Sequence, residues 1–308
     1  MAKVSRLAFI GFGEAAKAFL TGWADAAPPV ITAYDQKTNH LSLRKDKLHD
    51  YIQQNVEGCF NLHEAIDSAK VIFSLVTADQ AYEAASAAAK HIKAGQFYFD
   101  CNSCSPDTKR KNAKLINAAG GLYVDVAVMS PVYPKLHRSP LLICGSHAEQ
   151  AKPLFDSLGM NTQLIEGEIG VASSIKMIRS VMVKGLEALT AECLLAARKA
   201  QVDSRILASL DTSYPEFNWY EKAGYNLERM MLHGVRRAAE MREVALTVEQ
   251  LGLNNGMAKA TTDWQQQIGD MALNAESEDF AELADALLNA LEAQQTITAA
   301  PITDKNIY

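Results

Sequence analysis

Residues 5–35 constrain this chain more than any other stretch. Ser5–Ile10 (SRLAFI) is a short apolar run ending at a glycine, the pattern of a buried strand. Gly11-Phe12-Gly13-Glu14-Ala15-Ala16 follows at once, and a helical pattern then runs through Phe19, Leu20 and Trp23. A G-x-G-x-x-A between a strand and a helix is the dinucleotide-binding fingerprint. Gly11 permits the tight turn, Gly13 lets backbone approach a pyrophosphate, and Ala16 is small enough for close helix–strand packing. The phosphates would sit on the helix N-terminus, beside Gly11, Phe12, Gly13, Glu14 and Ala15, where unpaired N–H groups and the helix dipole favour anions. Val30–Tyr34 reads as a second strand closed by Asp35, at the spacing of about 20 residues where an acid accepts from the adenosine ribose hydroxyls and repels a 2′-phosphate. Lys37 is close, but Arg44 and Lys45 lie too far along for an obvious 2′-phosphate clamp. NAD is therefore favoured over NADP.

Strand and helix signals continue to alternate. Strands are expected at Val71–Leu75, Phe97–Asp100, Leu122–Val126, Leu141–Cys144 and Thr162–Ile165, with helices at His63–Ala69, Gln80–Ile92, from Pro106, and at Ala148–Leu158. Val76, Thr77 and Asn102 follow strands directly, where ligands bind in open α/β sheets, and are expected at the cofactor. Alternation of this length implies a doubly wound, mostly parallel sheet, an α/β Rossmann domain over residues 1–166.

After Gly167 the strand signal stops. Gly170–Lys184 (GVASSIKMIRSVMVK) is mostly apolar and reads as a buried helix running on to about Ala200. Ser173, Lys176, Ser180 and Lys184 recur at helical spacing, which puts them in one polar line. Burying an unpaired ammonium is costly, so such a line faces a cleft or a partner charge. Further helical patterns at Leu227–Leu251, Met257–Met271 and Phe280–Leu291 make residues 167–308 an all-α domain opened by a long connecting helix. The tail, 296–308, has no periodicity. An alanine-rich helical half of this kind buries its apolar surface best as a homodimer.

Composition narrows the partners. The net charge is −6 with only short basic runs, which argues against nucleic acid. No run approaches the ~18 apolar residues of a membrane span. Five scattered cysteines do not form a disulfide framework, so a cytoplasmic location is expected. Cys101-Asn-Ser-Cys104 lacks the second pair that a zinc site needs, and no metal is expected.

With these residues in place, the chain resembles the β-hydroxyacid dehydrogenase superfamily, which includes 6-phosphogluconate dehydrogenase and 3-hydroxyisobutyrate dehydrogenase. The likeness spans essentially the whole chain. It is greatest to a largely uncharacterised subgroup whose helical domain carries a stretch like Arg236-Arg-Ala-Ala-Glu-Met241. The family's G-x-G-x-x-x-K-x-x-x-N reads here Gly170-Val-Ala172-Ser-Ser-Ile-Lys176-Met-Ile-Arg-Ser180, so the resemblance places Lys176 on the catalytic lysine and Ser180 on the family's Asn. The D-x-S-T motif is matched loosely by Asp100-Cys-Asn102-Ser103. The substrate loop D-A-P-V-S-G-G is here Asp125-Val-Ala-Val-Met129-Ser130-Pro131, and Pro131 has no N–H to offer a carboxylate. The late K-D-L motif is absent as written, with Arg236, Arg237 and Glu240 nearby.

The resemblance implies hydride transfer between nicotinamide and a hydroxyl of a small hydroxy acid or sugar acid, with Lys176 as general acid/base. A lysine is a poor base at its reference pKa near 10.4; burial beside cationic nicotinamide would lower it toward neutrality. Ser180 would orient the lysine or a substrate hydroxyl. Ser103, Met129 and Ser130 would line the substrate, and Arg179 would pair with its acid group. The altered loop keeps an imine reductase on the same fold open. Loss of the Asn keeps a non-catalytic NAD(P)-binding protein open. Tyr133 and His137, on the Pro-rich loop, are further candidates for touching substrate.

Overall fold

The computed structural model describes residues 4–275 and 277–299. The chain divides into two compact units, one of residues up to Arg179 together with Glu243–Asn254, the other of Ser180–Arg242 together with residues from Asn255 onward. The first boundary falls inside a helix, thirteen residues beyond the 166/167 junction expected from the end of the strand signal.

The first unit holds one eight-stranded sheet: β1 Arg6–Ile10, β2 Val30–Tyr34, β3 Glu57–Gly58, β4 Val71–Ser74, β5 Phe97–Asp100, β6 Leu122–Val128, β7 Leu141–Cys144 and β8 Thr162–Leu164. Their spatial order is β3-β2-β1-β4-β5-β6-β7-β8. Every pairing is parallel except β6 with β7. That exception has a local cause. A parallel return needs a crossover, usually through a helix, whereas residues 129–140 form a Pro-bearing loop with a single 3-10 turn at Leu136–Arg138. The loop is closed by Met129 N–H donating to the Pro140 carbonyl at 2.9 Å.

Both faces of the sheet are covered, which is why its strands read as unbroken apolar runs. Leu7, Phe9, Phe73, Phe99, Val124 and Ile143 pack on one face against helices α1 (Glu14–Trp23) and α6 (Ala148–Ser157). Ala8, Ile10, Ile72, Tyr98 and Tyr123 point the other way, onto α3 (Leu62–Ile66), α4 (Ala81–Ala89) and α5 (Pro106–Ala118). The chain turns from β1 to β2 on one side and returns to β4 on the other, so a topological switch point lies between β1 and β4. Two elements of this unit escaped the sequence reading, as α8 (Asp203–Ser213) did in the other: β3, only two residues long, and α2 (Leu41–Gln53), whose polar sequence buries only Lys47 and Tyr51.

The second unit is helical. It contains α7 (Val171–Lys199) from Ser180 on, α8 (Asp203–Ser213), α9 (Trp219–Gln250) to Arg242, α10 (Gly256–Asp270) and α11 (Phe280–Ala299). Its core joins Leu194 and Leu195 to Leu227, Met230, Ile268, Phe280 and Leu287. Gly234 and Gly269 let α9 and α10 touch backbone to backbone: a Cβ on Gly234 would lie 2.4 Å from the Gln265 carbonyl oxygen. Of the aperiodic tail, 296–299 continue α11, and 300–308 lie outside the described residues.

Helix α7 corrects one expectation. It is amphipathic, not buried all round, and its polar line is the inward one. Ser173, Ser180, Lys184, Glu187 and Thr190 are buried, while Ile175, Ile178, Met182 and Leu189 are exposed, Met182 to 65%. The reason is pairing. Lys184 donates to Glu240 at 2.5 Å, and Arg237 makes a two-pronged ion pair with Glu187, which also accepts from Gln265 at 2.8 Å. Charges that satisfy one another inside leave the apolar stripe to face out.

Candidate active site

The glycine loop sits at the switch point. Gly11 has φ +83°, and a Cβ there would lie 2.5 Å from the Leu75 carbonyl oxygen, so the loop is wedged between the ends of β1 and β4. Gly13 caps α1 and has no side chain to satisfy the helix N–H groups; a Cβ there would meet nothing within 4 Å. That open side is where a pyrophosphate would approach. Glu14 and Ala15 form the first turn of α1, Glu14 exposed and Ala15 partly so.

Phe12 and Asp35 are tied to each other. The Phe12 side chain is fully buried, 5.0 Å from the Tyr51 ring, and belongs to the core. Its backbone N–H donates to Asp35 Oδ2 at 2.9 Å, and its carbonyl accepts from Lys47 Nζ at 2.7 Å. Asp35 is itself only 9% exposed, and its other oxygen accepts from the Lys37 N–H at 2.9 Å. Each carboxylate oxygen keeps a second lone pair for a ribose hydroxyl. Lys47 and Lys17 both bond Asp50. Burial pushes the Asp50 carboxyl up, but hydrogen bonds from the two lysines outweigh it and hold it below its ordinary value of 3.8. Nothing in a charged helical stretch announces that Lys47 reaches back to the glycine loop; the signal is absent from spacing alone.

At the end of β4, the Val76 N–H donates to Asn102 Oδ1 at 2.7 Å, and exposed Thr77 opens a 3-10 turn. Asn102 is 3% exposed, and its amide donates to Ser74 Oγ and Asp100 Oδ1. It therefore shapes the rim between β4 and β5. Ser103 follows, and its Oγ accepts from Lys176 Nζ at 2.6 Å. Lys176 is partly exposed on α7, five residues after the helix begins. Ser180, four residues on, is buried, and Arg179 is exposed.

The loop after β6 places Met129 and Ser130 partly exposed at the same carboxyl edge. The Met129 N–H is used in closing the loop, and Ser130 Oγ donates to the Pro131 carbonyl. His137 is drawn away: its ring fills the space over Gly22 of α1 and beside Gly159. Burial, with Arg138 adding to it, lowers its pKa. Tyr133 is exposed. Arg237 and Glu240 are accounted for by the ion pairs to Glu187 and Lys184 in the second unit.

Beneath Ser103 and Lys176 lies a charge cluster. Lys109 is fully buried, with Nζ 3.2 Å from Asp100 Oδ1 and 3.3 Å from Asp125 Oδ1. Burial works against its charge, but the two carboxylates outweigh it and hold the ammonium above the usual lysine range. Glu243 also reaches this region, accepting from the Ser105 N–H at 2.6 Å. Its distance in sequence hides it. Cys101 is buried here, and burial pushes its thiol up to about 12. Among the described residues no group of three or more His, Cys, Asp or Glu could hold a metal ion.

Residues 7–167 match the family model described as the NAD binding domain of 6-phosphogluconate dehydrogenase. The chain belongs to that family. Residues 197–268 match a domain of unknown function (DUF1932). A solved structure of a conserved hypothetical protein from Sinorhizobium meliloti 1021 is 34% identical, covering 94% of this chain and 97% of that one, with a TM-score of 0.70. An uncharacterised 28.5 kDa protein of Methanothermus fervidus is 25% identical over 85% of this chain and 98% of its own length. The 3-hydroxyisobutyrate dehydrogenase of Pseudomonas aeruginosa is 23% identical over 59% of this chain, which spans 63% of that enzyme. The family binds a nicotinamide cofactor, and its fold is that of the hydroxyacid dehydrogenases. Among the described residues no helix is long and apolar enough to cross a membrane.

Proposed function

We propose that the protein transfers hydride between a nicotinamide dinucleotide and a hydroxyl of a small hydroxy acid or sugar acid, with Lys176 as general acid/base. The observation that carries this reading is the 2.6 Å contact between Lys176 Nζ and Ser103 Oγ on the sheet edge that also holds the glycine loop. An alcohol oxygen taking up the Ser103 side of Lys176 would lose its proton to the amine as hydride leaves for nicotinamide C4. In the reverse direction the ammonium protonates the developing alkoxide. Ser103 would hold the substrate hydroxyl, Met129 and Ser130 would line it, and Arg179 would receive its acid group. Ser180 would steady the turn that carries Lys176. Asp35, at the end of β2, would accept from the ribose hydroxyls and repel a 2′-phosphate, which favours NAD over NADP.

The reading includes a second copy of the chain, covering exposed apolar residues of α7 (Met182, Val183, Leu189) and of α9 (Tyr225, Leu232, Val235); light scattering at micromolar concentration reads the mass directly. The functional test is nicotinamide absorbance with NAD and NADP against short 3-hydroxy acids, sugar acids, their phosphates and cyclic imines. Lys176→Ala should lose turnover by about 10²–10⁴-fold, the usual worth of a general acid/base, while NADH still binds. Wild-type turnover in that variant rejects the role of Lys176. Reduction of imines alone rejects the hydroxy-acid substrate.

A further inference from the structure

Gly170, immediately before α7, has φ +106° and no side chain to cap the helix, so the first N–H groups need another acceptor. The sheet supplies it. Asp125 Oδ2, on β6, accepts from the Gly170 N–H at 3.0 Å, the Ser173 N–H at 3.3 Å and Ser173 Oγ at 3.2 Å. Cys144 Sγ, on neighbouring β7, accepts from the Ala172 N–H at 3.3 Å. The other Asp125 oxygen lies against Lys109, which also pairs with Asp100, directly across the β5–β6 register. Asp100 Oδ1 in turn accepts from the Asn102 N–H at 3.1 Å and its amide at 2.8 Å, and so fixes the short loop carrying Ser103. Asp100 Oδ2 is held by Asn112 at 2.9 Å and Tyr123 at 2.8 Å.

We infer that Asp125, Lys109 and Asp100 form a buried brace that sets the contact between Lys176 and Ser103. One arm holds the helix that carries the lysine, and the other holds the loop that carries the serine. Lys109 ties the arms by standing between two carboxylates that would otherwise repel across adjacent strands. These three are positioning residues; none is required to touch substrate. A negative charge at the N-terminus of α7 also suits the helix dipole. The functional meaning of the brace rests on the role proposed for Lys176, but its existence does not, and the test separates the two.

The experiment reads Lys176 itself. A pulse of acetic anhydride at a series of pH values, quantified at Lys176 by mass spectrometry, gives its reactivity profile without any substrate. The proteins are wild type, Asp125→Asn, Ser103→Ala and the double variant. Asp125→Asn keeps shape but sets an amide N–H₂ either against the Lys109 ammonium or against the donors at the α7 N-terminus. It should shift the Lys176 profile by about one pH unit, a tenfold change in rate on the flank. Ser103→Ala should shift it too, and the double variant should move no further than the larger single shift. Binding of NADH should stay within about twofold, since the glycine loop hangs from Asp35 and Lys47. A wild-type Lys176 profile in folded Asp125→Asn overturns the brace, as do additive shifts in the double variant. If Asp125→Asn does not fold, Ser173→Ala removes a single donor to Asp125 and is judged by the same two criteria with a smaller shift. An intact brace alongside a catalytically silent protein leaves this inference standing and sinks the dehydrogenase reading instead.

Discussion

Lys109→Met gives the strongest quantitative test of the charge cluster. The ammonium donates to the Asp100 carbonyl at 2.5 Å and the Val126 carbonyl at 3.3 Å besides pairing with both carboxylates. Removing one partner of a buried pair costs about 3–5 kcal/mol, because the remaining charge is left desolvated. Each carbonyl left without its donor adds about 1 kcal/mol, and methionine, of similar length, returns part of this through apolar contact. The expected net loss is about 4 kcal/mol at pH 8, a large share of the 5–15 kcal/mol that stabilises a typical domain. The assay is urea unfolding in a background where Trp219 and Trp264 are Phe, so that Trp23, buried on α1, reports the first unit alone.

The same variant has a diagnostic pH dependence. With Lys109 gone, Asp100 and Asp125 face each other across the register, and one of them should take up a proton in the folded state more readily than in the unfolded chain. Folded protein then binds the extra proton, so stability rises as pH falls, by at most about 1.4 kcal/mol per unit. Measured against wild type, the deficit should shrink between pH 8 and pH 6. Adding Asp125→Asn should restore more than half of it at pH 8. A loss under about 1 kcal/mol, or a deficit flat with pH, refutes the argument that Lys109 neutralises this pair.

The Rossmann half was legible because both of its periodicities are strong. Strands such as Val71–Ser74 and Phe97–Asp100 are buried on both faces and so read as unbroken apolar runs, and Gly11 and Asp35 punctuate them at fixed spacing. Helix α7 was legible as a helix but not in its orientation. A polar line on an apolar helix looks the same from sequence whether it faces a ligand or partner charges fifty residues on, as Glu187 does with Arg237. Of the candidate site, motifs alone single out Lys176 and Ser103, which the fold brings to 2.6 Å. The site was hidden where a residue works at long range. Asp125 was visible as the start of the substrate-loop motif, yet its hydrogen bonds to Gly170 and Ser173 needed the fold. Lys109 opens a short basic run, Lys109-Arg110-Lys111, in which it alone is buried, and nothing in the run's composition marks it out.

Further tests follow from single residues. Gly11→Ala should cost about 3 kcal/mol, from left-handed strain plus collision with the Leu75 carbonyl, and abolish NADH binding; Gly13→Ala, at φ −105° with open space around its Cβ, should leave thermal stability nearly unchanged while weakening NADH. Equal effects in the two variants contradict the assignment of Gly13 to the ligand side. Of the five thiols only Cys193 is exposed, and burial pushes the Cys101 thiol up to about 12 and that of Cys144 to about 11, so native protein should yield one fast thiol with a disulfide reagent and all five after unfolding. Two or more fast thiols count against these burials. Asp50 supplies an acid limb. Its folded carboxyl lies below 3.8, so in the acid window the unfolded chain binds more protons, and the stability it contributes is present above about pH 4 and lost as pH falls through the folded value. Asp50→Asn should therefore lower the urea midpoint of the Trp23 signal at pH 7 and make little difference at pH 3; equal decrements at both would show that its charge is not what matters. Because Lys47 is shared between Asp50 and the Phe12 carbonyl, the same variant should also weaken NADH binding, which a surface ion pair with no tie to the glycine loop would not do.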